Sequence, residues 1–118
     1  MKYKIQMAFL VVTLLLLAFG CKKDDNTPYQ NQTSGPGANE VWIQNYAFNP
    51  SSITVPANTT IKWTNKDAVA HTATSNSGVF DSGSIGDGGT YSYHFTTPGT
   101  YAYHCTPHPH MIATIVVQ

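Results

Sequence analysis

Cysteine, histidine and methionine crowd together once in this chain, in Cys105-Thr106-Pro107-His108-Pro109-His110-Met111. A thiol, an imidazole and a thioether at C-x2-H-x2-M put three donor types on one short loop. Soft sulfur combined with imidazole suits copper, and in particular a trigonal pair of imidazoles and a thiolate with a weak axial thioether. Such a site needs a second imidazole from elsewhere. His71 is a candidate, in the loop after Trp63-Thr64-Asn65-Lys66-Asp67.

Each of these residues also has an ordinary reading. A lone inward cysteine is usually a buried thiol, and a methionine after it is usually core. Three donor types at this spacing argue against both. Zinc takes Cys and His as well, but a structural zinc site prefers four strong tetrahedral ligands, and a thioether is a poor fourth. His110 competes with His108, yet with Met111 adjacent it would crowd two ligands onto neighbouring residues, so it is expected on the exposed rim. His94 and His104 are expected as surface groups. Three strong ligands and an axial Met leave no open position for a substrate. No paired carboxylates, nucleophile–base motif or phosphate loop occurs, so no enzyme is expected.

The loop has to be positioned by strands. Val41-Trp42-Ile43 opens one, and Ile53-Thr54-Val55 follows the Asn49-Pro50 turn. Thr60 to Thr64 puts Ile61 and Trp63 on one face. In Tyr91-Ser92-Tyr93-His94-Phe95 the two tyrosines and Phe95 face inward, and in Tyr101 to Cys105 the inward set is Tyr101, Tyr103 and Cys105. In both, the alternation turns His94 and His104 outward. Ala113 to Val117 is the closing strand. Between Ser75 and Thr90 the chain reads as loops around a short Gly78-Val79-Phe80 segment. Many short strands separated by turns predict an all-β antiparallel sandwich.

The ends and the composition narrow the setting. Lys2 and Lys4 precede an apolar run from Met7 to Phe19, too short for a stable membrane span but suited to a signal peptide over residues 1–20. The run closes on Leu17-Ala18-Phe19-Gly20-Cys21, similar to a bacterial lipobox, which makes Cys21 the expected lipidated N-terminus of an exported, membrane-anchored protein on the periplasmic or cell-surface side. Residues 21–39 are polar and rich in Gly, Pro, Asn and Gln, a tether with a reach of about 20–25 Å. The folded domain is expected over residues 40–118, with Cys105 its only cysteine and no disulfide to staple so small a core, so a bound metal would serve. Of all 118 residues only 10% are charged, six lysines against six acids with no arginine. That balance excludes a nucleic-acid footprint and a long solvated helix.

The run Gly99-Thr100-Tyr101-Ala102-Tyr103-His104-Cys105-Thr106-Pro107-His108-Pro109 resembles the cupredoxins, the small blue-copper proteins of the plastocyanin and amicyanin type, and amicyanin especially. The likeness extends through Phe48-Asn49-Pro50, Ile61-Lys62-Trp63-Thr64-Asn65 and Asp67 to His71. It implies a Greek-key sandwich, one copper held by His71, Cys105, His108 and Met111, and transient redox donors and acceptors meeting a monomer. The runner-up is a copper-handling protein without electron transfer. A detached domain of a multicopper enzyme such as a nitrite reductase ranks third, because the remaining histidines form no second site. Three residues depart from the family. Asn58 replaces a turn glycine and Ala113 a glycine after the Met, while Thr72 stands for an Asn and is expected to brace the ligand loop less well. The resemblance also implies that His108 breaks the surface. It makes two backbone amides donors to the cysteine sulfur: that of Thr72, and that of the residue at 107, which here is proline and has none.

Overall fold

The computed structural model describes residues 35–118, so the apolar run, Cys21 and residues 22–34 of the expected tether lie outside the described residues. In chain order the strands are β1 (Glu40–Gln44), β2 (Ala47–Asn49), β3 (Ser52–Val55), β4 (Thr59–Asn65), β5 (Thr74–Ser75), β6 (Thr90–Phe95), β7 (Gly99–His104) and β8 (Ile112–Val117). They form two four-stranded sheets, β2-β1-β4-β6 and β3-β8-β7-β5. The all-β sandwich is as expected.

Pairing is less uniform than expected. Antiparallel contacts join β1–β2, β4–β6, β5–β7 and β7–β8, whereas β1–β4 and β3–β8 run parallel. Parallel neighbours need a crossover rather than a hairpin. After β2 the chain leaves the first sheet, serves as β3 in the second, and returns to pair β4 with β1. The two shortest elements, β2 and β5, are additional to the strands expected from alternation, whereas Gly78-Val79-Phe80 was expected as a short segment among loops. That segment forms no strand, but it drops Phe80 into the core at 4% exposure.

Alternation decides what each strand buries. Ile61, Trp63 and Asn65 of β4 face inward, opposite Tyr103 of β7 and Ala113, Ile115 and Val117 of β8. Trp63 sits at the centre, its ring 5.4 Å from Phe80, 5.6 Å from Tyr91 and 5.6 Å from Tyr103. Tyr91, Tyr93 and Tyr101 pack half-buried around this core. Asn58 turns the chain at φ 64°, the left-handed conformation that Asn accepts, and its amide donates to the Phe95 carbonyl at 2.7 Å.

Glu40 locks the parallel β1–β4 pair. Its carboxylate accepts from the Thr64 hydroxyl at 2.6 Å and meets Lys62 Nζ at 3.2 Å. The Thr64 hydrogen bond does most to hold its pKa at about 2, against the opposing effect of burial. A depressed carboxyl stabilises the fold above its unfolded value and loses that contribution as pH falls through the folded one. Glu40→Gln is therefore expected to cost about 1–2 kcal/mol at neutral pH, the scale of a charged hydrogen bond discounted for partial exposure. The gap between variant and wild type in urea unfolding should close as the pH drops from 4.5 toward about 2.

Candidate metal centre

Two loops at one end of the sandwich build the centre. The first joins β4 to β5 and is organised by Asn65, which is fully buried. Its Nδ2 donates to the carbonyls of Val69 at 2.8 Å, Ile85 at 2.9 Å and Gly86 at 3.1 Å, and its Oδ1 accepts from the Asp67 amide at 2.9 Å. His71 and Ile85 then exchange both backbone hydrogen bonds, at 3.1 and 2.7 Å. The imidazole of His71 is thereby carried into the interior at 0% exposure.

The second loop follows β7. Cys105 continues the inward alternation set by Tyr101 and Tyr103, and is fully buried. The Cys105 amide donates to the Met111 carbonyl at 3.1 Å, and the Met111 amide to the His108 carbonyl at 2.9 Å. These bonds close the segment on itself, with Met111 buried at 2% exposure just before β8 and His108 half-buried. The Thr72 hydroxyl accepts the Thr106 amide at 2.8 Å and meets the Thr74 hydroxyl at 2.9 Å. Thr72 thereby ties the two loops together directly.

The donor atoms converge. His71 Nδ1 lies 3.1 Å from His108 Nδ1, and Cys105 Sγ lies 3.6 Å and 3.5 Å from these two nitrogens. All three fall within 4.8 Å of one another. The Thr72 amide donates to Sγ at 3.4 Å, as expected, and Pro107 offers no second donor. Opposite, His71 Nε2 meets Asp67 Oδ2 at 2.9 Å. Burial alone would raise the Asp67 pKa, but donation from the Tyr46 and Asn45 amides and from His71 outweighs it and holds the carboxyl below its ordinary value.

The other histidines stay out of the group. His94 pairs with the Thr60 hydroxyl at 2.9 Å and His104 with Asn76 Oδ1 at 2.6 Å. The exposed His110 ring stands 6.4 Å from that of His108. Sequence reasoning missed Tyr46, whose ring meets His71 and His108 edge-on at 5.3 and 5.0 Å. It also missed the role of Asp67, for which a carboxylate four residues before a candidate ligand was the available signal.

A model of the cupredoxin-like domain matches residues 7–117. The chain belongs to the cupredoxin-like family. It is 34% identical over 92 residues to amicyanin-alpha of Methylorubrum extorquens, covering 74% of this chain and 77% of that one. The reduced Cu(I) form of an amicyanin variant at pH 4 superposes with a TM-score of 0.66 at 32% identity, over 71% of this chain and 85% of the other. A copper-containing nitrite reductase from Thermus scotoductus gives a TM-score of 0.64 at 28% identity, over 67% of this chain but 22% of its own. That match is to one part of a much larger protein. The family's copper fits the donors present here: two imidazole nitrogens, a buried thiol and a buried methionine make the mixed soft set that copper favours.

Proposed function

We propose that this cupredoxin is a type 1 copper protein carrying single electrons between redox partners outside the cytoplasm. The reading rests on the convergence of His71 Nδ1, His108 Nδ1 and Cys105 Sγ, with Met111 buried and tied through its backbone to Cys105 and His108. These four residues are the ligands. Copper, when bound, supplies one-electron exchange between Cu(I) and Cu(II). The chain holds its donors still, since His71 and Cys105 are fully enclosed and hydrogen-bonded, and a fixed compromise geometry lowers the reorganisation each transfer requires. A complete donor set offers no position for substrate, which separates this role from that of the nitrite reductase. Enclosure of three of the four ligands also favours a carrier over a protein that hands its copper on. The apolar run, the lipobox-like Cys21 and the polar segment to residue 39 support export and attachment to a membrane through lipid.

Electrons enter and leave through the half-buried edge of His108, between the exposed Pro107, Pro109 and His110. The domain sets Lys62 and Lys66 against Glu40, Asp67, Asp81 and Asp87, too few charges for strong steering. Electron self-exchange of the copper-loaded protein should therefore depend only shallowly on ionic strength, and His110→Glu should slow it by placing a charge on the contact face. Steep salt dependence together with an unchanged rate in His110→Glu would rule this face out.

A further inference from the structure

The β1–β2 hairpin closes between Gln44 and Ala47 on two residues, Asn45 and Tyr46, both left-handed at φ 55° and 57°. A turn of this kind suits Asn followed by Gly, and a bulky tyrosine in the second place carries a conformational cost. The backbone gives no reason for it. The Tyr46 amide donates to Asp67 Oδ2 at 3.0 Å, and glycine would donate as well. The ring supplies the reason. It stands edge-on to His71 at 5.3 Å and to His108 at 5.0 Å. Among the described residues no third aromatic ring meets both imidazoles, since His110 approaches His108 alone, at 6.4 Å. Tyr46 is itself 46% exposed, whereas His71 and Cys105 are at 0%.

We propose that Tyr46 is the shield of the metal centre, and that its ring bars water and small anions from the two imidazoles and from the sulfur they flank. Part of the ring lies in solvent and part against both imidazoles, so it occupies the approach on that side. Whatever covers the imidazoles covers Cys105 Sγ as well, because the sulfur lies 3.6 and 3.5 Å from their Nδ1 atoms. An aromatic side chain suits the task, since it is large, apolar and rigid. Its bulk does the shielding, and the hydroxyl is not needed for it. The left-handed turn serves to aim the ring, which explains a tyrosine where glycine would close the hairpin with less strain. A small anion that reached the imidazoles would add a donor to the set of four, so the shield keeps the site to electron exchange. For that consequence it rests on the copper reading above.

Alkylation of the metal-free protein by iodoacetamide tests the shield apart from any copper chemistry. Mass spectrometry of the Cys105 peptide follows that thiol separately from Cys21. Tyr46→Gly removes the ring but keeps the amide and eases the turn. Tyr46→Ala also removes the ring but leaves a Cβ in the left-handed position, so it should unfold at lower urea than Tyr46→Gly. In both, Cys105 should react about tenfold faster than in the wild type, the scale of two lost ring contacts. Tyr46→Phe should match the wild type. Loaded with Cu(II), the Gly and Ala variants should change colour on addition of azide, and the wild type and Tyr46→Phe should not. Equal Cys105 reactivity in the wild type and Tyr46→Gly would overturn the shield, as would copper-loaded Gly and Ala variants indifferent to azide. Reactivity that tracks urea stability, lower in Tyr46→Gly than in Tyr46→Ala, would overturn it too, since that marks a loosened fold and not an opened approach. Tyr46→Asn, also at ease in a left-handed turn, takes the place of Tyr46→Gly should the latter fail to fold. Failure of the wild type to bind copper would defeat the functional reading while leaving the alkylation result intact.

Discussion

Replacing Cys105 by Ser abolishes the intense blue colour expected of the copper-loaded protein, and leaves at most the pale absorption of copper bound by nitrogen and oxygen. The colour arises by charge transfer from the thiolate to Cu(II), and Cys105 is the only cysteine among the described residues. Its sulfur is placed for this role, fully buried and within 3.6 Å of both imidazole nitrogens. Serine has nearly the same shape but a hard oxygen that is not ionised at neutral pH, so the soft donor that favours copper is lost. The fold should survive, since the exchange changes one atom on the loop just after β7. Visible absorption of both proteins at equal copper content checks this. A strong blue band retained in Cys105→Ser would mean that another group is the chromophore.

Replacing Pro107 by Ala raises the reduction potential by tens of millivolts. Each hydrogen bond to a thiolate withdraws electron density, weakens its support of Cu(II) and favours Cu(I). Cys105 Sγ receives one backbone donor, from Thr72 at 3.4 Å, and the proline two residues after the cysteine has no N–H to supply another. Alanine restores that group without touching His71, Cys105, His108 or Met111. A hydrogen bond to a charged acceptor is worth about 1.5–3 kcal/mol, and only the difference between the two oxidation states moves the potential. Redox titration of Pro107→Ala beside the wild type decides the point. An unchanged or lower potential with the blue spectrum intact would show that Pro107 merely stiffens the loop.

The centre was legible in the sequence to the extent that its donors are contiguous. Cys105, His108 and Met111 declare themselves by type and spacing on one loop, while His71 needed the family likeness to single it out. Strand alternation identified the inward faces, including those of Trp63, Tyr103 and Phe95, because a period of two reads directly as burial. It carries no information on strand direction, so the parallel β1–β4 and β3–β8 pairs stayed hidden. Phe80 was obscured by the Gly- and Ser-rich stretch around it. Nor does the sequence announce the turn at Asn45-Tyr46, which lacks the glycine that usually marks a left-handed pair. The carboxylate held by that turn, and with it the support of His71, became visible only in three dimensions.

The most direct test of the electron-carrier reading is a redox titration of the copper-loaded wild type, followed through its blue band. One copper per chain is expected, with a band that vanishes on reduction and returns fully on oxidation. The titration should follow a one-electron curve, about 59 mV per tenfold change in the ratio of oxidised to reduced protein. A colourless protein holding stoichiometric Cu(II) with Cys105 intact, or a band that fails to return because copper leaves on reduction, would contradict it.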